Sequence, residues 1–106
     1  MSRKRVAILI SGRGSNMTAL IEAAQAADFP AEIVLVVSNI AGAAGLEKAA
    51  AAGIETVTVA SKPFGRDREA FERQLNDTLV AHGIDLVCLA GFLRLLTPWF
   101  VSQWDG

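Results

Sequence analysis

The chain has one cysteine, one histidine and almost no surplus of charge, and each shortage removes a class of protein. With Cys88 alone, no disulfide can close within the chain, which favours a reducing compartment and sets the expectation of a cytoplasmic protein. Ten basic residues against eleven acidic ones leave a net charge of -1, so no charge excess marks a nucleic-acid or membrane partner. No apolar stretch approaches the length of a bilayer span. The start, MSRKRVAILI, is basic, but Ser11 and Gly12 cut its apolar run short. It reads as a solvated tip leading into a strand, not as a signal peptide. No grouping of Asp, His and Cys has the spacing of a metal site, and none is expected.

What is present is apolar and ordered. Hydrophobic residues fill 52% of 106 positions and charged ones 20%, the composition of one small globular domain. Four continuous apolar runs stand out: VAILI (6–10), EIVLVVSN (32–39), TVTVA (56–60) and DLVCLAG (85–91). Such runs suit parallel strands covered on both faces. Helical spacing fills the gaps. Met17, Leu20, Ile21 and Ala24 share one face; Leu46, Ala49 and Ala50 form a smaller stripe; Phe71, Leu75 and Leu79 form a longer one. Arg68 with Glu72 and Glu69 with Arg73 read as i,i+4 pairs on an outer face. Gly53 and Gly83 stand where helices should stop. The alternation predicts an α/β domain, a Rossmann-like three-layer parallel sheet in the order 3-2-1-4 with helices on both faces.

Thr97 and Pro98 read as the N-cap and first position of a last helix. Trp99, Phe100, Val101 and Trp104 then concentrate apolar area. They either fold back onto the sheet or form a ledge for further structure, and the ledge is the expectation.

The stretch LISGRGSNMTALIEA (9–23) carries the clearest site signal. A strand, a glycine turn and a helix start put free N–H groups at the positive end of a helix, which is an anion site. Gly12 and Gly14 can take positive φ and let a ligand approach the backbone, and Ser15 and Asn16 supply short polar side chains. The plainer reading is a tight turn and a cap with nothing bound. A dinucleotide fits poorly: Met17 stands where the third glycine of G-x-G-x-x-G belongs, and the second strand ends in Ser38 and Asn39 without a ribose-binding acid. No Gly-Lys-Ser or Gly-Lys-Thr follows, so the triphosphate pattern fails as well. A phosphate monoester fits what remains. Arg13 could assist by charge or point into water.

LISGRGSN, SNIAGAAGLEKA and LAGFLRLLTPWFV, in this order and spacing, closely resemble the N-terminal half of the phosphoribosylglycinamide formyltransferase family, over essentially all 106 residues. The resemblance implies transfer of a formyl group from 10-formyltetrahydrofolate, a co-substrate, to the amine of 5'-phosphoribosylglycinamide in purine synthesis. It implies that Gly12, Arg13, Gly14, Ser15 and Asn16 form the loop for the ribonucleotide phosphate. It implies a folate site in which Leu89, Leu93, Leu95, Leu96, Phe100 and Val101 wall the pterin ring, the backbone of Arg94 and Leu96 bonds it, and Arg68 lies near the glutamyl tail. Read without it, the leucines could be plain packing and Arg94 could snorkel to solvent. Asn39 reads as no more than a strand-end cap.

Attack of an amine on a formyl carbon develops an oxyanion and releases a proton, so it wants a hydrogen-bond donor and a proton route. His82 falls near the end of the third helix, where a ring caps carbonyls or meets the dipole, and it is read as structural. In the family the catalytic Asn, His and Asp follow the stretch matched by FVSQWDG. The expectation is therefore that 1–106 is the nucleotide-phosphate-binding part of a single formyltransferase domain, without catalytic residues and inactive alone. Formyltetrahydrofolate hydrolase, methionyl-tRNA formyltransferase and a non-catalytic phosphate-binding module are the alternatives; the compact GRGSN turn and the lack of a basic insertion favour the ribonucleotide enzyme, acting as monomer or homodimer.

Overall fold

The four apolar runs become four strands, and all of them are parallel. The computed structural model describes residues 4–13, 15–26, 31–65, 67–92 and 96–104, with Ser15 and Asn16 described in their backbone only. In it β1 (Lys4–Ile10), β2 (Ala31–Ser38), β3 (Glu55–Thr58) and β4 (Leu86–Leu89) form one sheet ordered β3-β2-β1-β4, the order expected. Each strand leads to a helix: α1 (Ser15–Ala24), α2 (Ala44–Ala51), α3 (Arg68–Ala81) and α4 (Pro98–Trp104), with a 3-10 turn at Lys62–Phe64 before α3.

Side-chain alternation sorts the two faces. Ala7, Leu9, Leu35 and Val37 pack with Phe71, Leu75 and Leu79 of α3 and Phe100 of α4. Ile8, Ile10 and Val36 pack with Met17, Ile21 and Ala49 of α1 and α2. Between these faces β2 carries one extra residue, since Val6 lies opposite Ile33 and Ala7 opposite Leu35. The bulge at Val34 shifts the alternation, so Ile33 and Val36 end up on the same side. Central β1 is buried from Val6 to its end, as the double-sided reading requires.

Several sequence expectations are corrected. The fourth strand stops at Leu89: Ala90 N–H still donates to Leu9 O at 3.0 Å, and Gly91 then turns the chain away at φ 75°. The third strand begins at Glu55 and ends at Thr58, because it follows its partner run Leu35–Ser38 on β2. Ala50 faces solvent, while Gly45 and Ala49 are the buried residues of α2. Helix α2 lies so close to the end of β1 that a Cβ at Gly45 would crowd Ile10 and the Gly12 carbonyl. Glu69 and Arg73 pair at 2.9 Å on the outside of α3 as expected, but Glu72 does not join Arg68 there and is fully buried. Gly53 and Gly83 do end their helices, at φ 81° and 66°.

At the aromatic end the fold-back alternative is observed. Phe100 is 2% exposed, and Trp99 and Trp104 pack against the same core. Arg73 lies 4.9 Å from the Trp99 ring centre, and Trp104 Nε1–H donates to Asn76 Oδ1 at 2.8 Å. The tryptophans fold back onto α3. The exposed apolar side chains nearby are Leu89 and Val101, at 56% and 53%.

Candidate functional site

Strand order decides where a ligand can sit. The chain leaves β1 toward β2 on one side and returns to β4 on the other, so the carboxyl ends of β1 and β4 flank the switch point of the sheet. The turn after β1 and the loop after β4 both open there.

The turn is held from two directions. Asn39, buried at the end of β2, accepts a hydrogen bond on Oδ1 from Ser11 Oγ–H at 2.5 Å, and its Nδ2–H donates to Ser61 Oγ at 3.2 Å. One amide thus ties together the ends of three strands, a larger role than the strand-end cap read from sequence. From the other side, Gly45 N–H of α2 donates to Gly12 O at 3.0 Å. A Cβ at Gly45 would stand 2.6 Å from Ile10 Cδ1 and 3.0 Å from Gly12 O. Gly45 is the residue that sequence reasoning missed; SNIAGAAGLEKA gave the signal, but not which of its glycines mattered. Gly12 does not use positive φ, contrary to expectation, and a Cβ there would meet nothing within 4 Å. Among the described residues nothing fills the space over it. Arg13 is exposed beside it, Ser15 and Asn16 form the first turn of α1, and Gly14 lies outside the described residues.

After β4 the structure brings Leu89, Leu96, Phe100 and Val101 together. With Val87 and Trp104 they line an open groove of about 240 Å³. Val87 and Leu89 alternate onto one face of β4, and Phe100 forms the buried floor. A flat apolar ring matches such a lining better than a polar ligand does. Leu93, Arg94 and Leu95 lie outside the described residues. Arg68 stands exposed on the first turn of α3 and is not one of the groove's lining residues.

His82 sits at the opposite, amino end of the sheet. It is the C-cap of α3; Nδ1 lies 2.8 Å from Thr78 O and Nε2 2.6 Å from Glu55 Oε2. Both ring nitrogens therefore face acceptors. The Thr78 carbonyl, and after it the Glu55 carboxylate, raise its pKa above the ordinary 6.5. This is the structural placement expected. Among the described residues, no three His, Cys, Asp or Glu side chains gather as metal ligands would.

A parallel sheet with a glycine turn and an apolar groove at its switch point defines a Rossmann-like α/β class. The match to known proteins is narrower: residues 4–106 fit the formyl transferase family, and the chain belongs to it. It is 43% identical to the phosphoribosylglycinamide formyltransferase of Escherichia coli over 101 residues, 95% of this chain and 47% of that protein. Against the trifunctional purine biosynthetic protein adenosine-3 of Chironomus tentans it is 47% identical over 106 residues, 98% of this chain and 8% of that one. The crystal structure of phosphoribosylglycinamide formyltransferase from Brucella melitensis superposes with a TM-score of 0.93 at 50% identity, covering 99% of this chain and 54% of that one. The chain thus spans about half the length of these bacterial relatives, and far less of the insect protein.

Proposed function

We propose that the complete protein transfers the formyl group of 10-formyltetrahydrofolate to the amine of 5'-phosphoribosylglycinamide, a step of purine synthesis, in the cytoplasm. The observation that carries this reading is that a helix-start turn and an apolar groove open at one switch point. The turn at 11–16 offers helix-start N–H groups to the ribonucleotide phosphate. The groove of Leu89, Leu96, Phe100 and Val101 takes the pterin ring. Gly12, Arg13, Gly14, Ser15 and Asn16 are assigned to the phosphate, with Arg13 adding charge at the rim. Leu93, Leu95 and the backbone of Arg94 and Leu96 are assigned to the ring, and Arg68 to the glutamyl tail. In this reading the turn and the groove orient the two substrates, bringing amine and formyl carbon together, and effective concentration follows. Groups that act more strongly in the transition state supply the remaining rate.

The test is to purify the complete gene product and follow tetrahydrofolate release from the formyl donor with and without glycinamide ribonucleotide. Release that depends on the ribonucleotide, with formylated product formed in equal amount, is the expected result. Release to formate without the acceptor would make the protein a hydrolase, and no release would sink the reading.

A further inference from the structure

The groove described above is assembled from two elements that do not meet on their own. Leu89 belongs to β4, while Leu96, Phe100 and Val101 come from the segment beyond the β4 turn and from α4. Helix α4 follows the point at which Gly91 turns the chain away from the sheet, and it carries no strand that would fix its place there. Something must register it against the sheet. Phe100 does part of this by burial, yet a ring in a core fixes depth better than rotation or register.

Glu72 supplies what burial does not. It lies on α3 next to the apolar stripe of Phe71, Leu75 and Leu79, at 0% exposure. One carboxylate oxygen, Oε2, accepts from the backbone N–H of Thr97 at 2.7 Å; the other, Oε1, accepts from the Thr97 hydroxyl. Thr97 is the residue between Leu96 and the first turn of α4, and its own carbonyl accepts from Val101 N–H at 3.2 Å. A carboxylate is costly to bury, and the cost is tolerated where both oxygens find donors. Two bonds to one residue, from main chain and side chain, fix orientation as well as distance. The cation–ring contact of Arg73 with Trp99 and the bond from Trp104 Nε1–H to Asn76 Oδ1 lie farther along the same seam.

We propose that Glu72 is the positioning residue of the groove: through Thr97 it holds Leu96 and the first turn of α4 in the register at which a flat heteroaromatic ring packs against Leu89, and so sets affinity for the formyl donor. This rests on the reading that the groove takes the pterin ring.

The experiment uses the complete gene product and separates the KM of each substrate. Thr97→Val removes one hydroxyl at nearly constant volume. It is expected to raise the KM for 10-formyltetrahydrofolate about tenfold while the KM for glycinamide ribonucleotide stays within about twofold. Thr97→Ser, which keeps the hydroxyl, is expected to recover most of that loss. Glu72→Leu should do at least as much as Thr97→Val; if it fails to fold, Thr97→Val carries the test alone. A lower melting temperature with both KM values unchanged would assign Glu72 to packing only and overturn the proposal. Val101→Asp separates the two layers of the argument. If it raises the donor KM and Thr97→Val does not, only the assignment of Glu72 falls. If Val101→Asp leaves the donor KM unchanged, the ring does not use the groove and both fall together.

Discussion

At Gly45 a single missing methyl group lets α2 donate to the Gly12 carbonyl. The Ile10 methyl in its way is the flexible end of a side chain and can move; the Gly12 carbonyl is backbone of the turn itself and cannot move without reshaping it. Gly45→Val is therefore expected to displace the turn, lowering affinity for glycinamide ribonucleotide and costing about 1–3 kcal/mol of stability through overpacking. Calorimetric titration with the ribonucleotide checks the first part and denaturant unfolding the second; full affinity in a folded variant would mean that the turn does not depend on α2. Glycine patterns alone do not reveal this. GRGSN announces a turn by its composition, whereas the glycine that matters at 45 is set by how closely two elements approach, which is a property of the packed pair.

Among the elements, the strands and long helices were readable because their side chains answer to one neighbour at a time. The runs at 6–10 and 32–39 and the stripe of Phe71, Leu75 and Leu79 became β1, β2 and α3 nearly as drawn. The bulge at Val34 was not readable, since every residue of IVLVV is acceptable on either face. Glu72 was misread for the same kind of reason. Its spacing from Arg68 allowed a surface pair, and only the arrival of Thr97 from 25 positions away turns that carboxylate inward. The apolar residues of the groove were legible as a set, through their resemblance to a known wall, although only four of the eight assigned folate residues line it among those described. Within α4, depth should separate two effects. Phe100→Ala, opening the floor, is expected to cost about 3–5 kcal/mol in urea unfolding. Val101→Ser, at an exposed position, should cost little stability and still raise the KM for the formyl donor. Equal destabilisation by the two would contradict the packing of α4 described here.

Over the whole molecule the two ends of the sheet are built differently. The carboxyl end carries the turn and the groove and is tied by the neutral bonds of Asn39; the amino end is fastened by charged side chains. There Arg5 donates to the carbonyls of Gly83 and His82, Asp85 accepts from Arg5 N–H, and His82 reaches Glu55. The His82 ring makes this fastening depend on pH. Its folded pKa is raised above 6.5, so its contribution is present in full below that value and is lost as pH rises through the raised pKa. The melting temperature of the wild type should therefore exceed that of His82→Gln most in mild acid, with the gap shrinking as pH increases. A gap that widens with pH, or a ring that titrates below 6.5 by NMR, would reverse the assignment. The central place of β1 also bears on how the chain is made. β1 precedes the other strands in synthesis, yet its second neighbour is β4, and the bonded pair Arg5 and Asp85 is separated by 80 residues. At about 5–20 residues per second, roughly 4–16 s pass on the ribosome before β4 exists to meet it. Contacts so distant in sequence also slow folding once synthesis is complete. Setting the turn beside the groove thus obliges the nascent chain to keep its central strand, the one with the longest buried run, half-paired while the intervening residues are added.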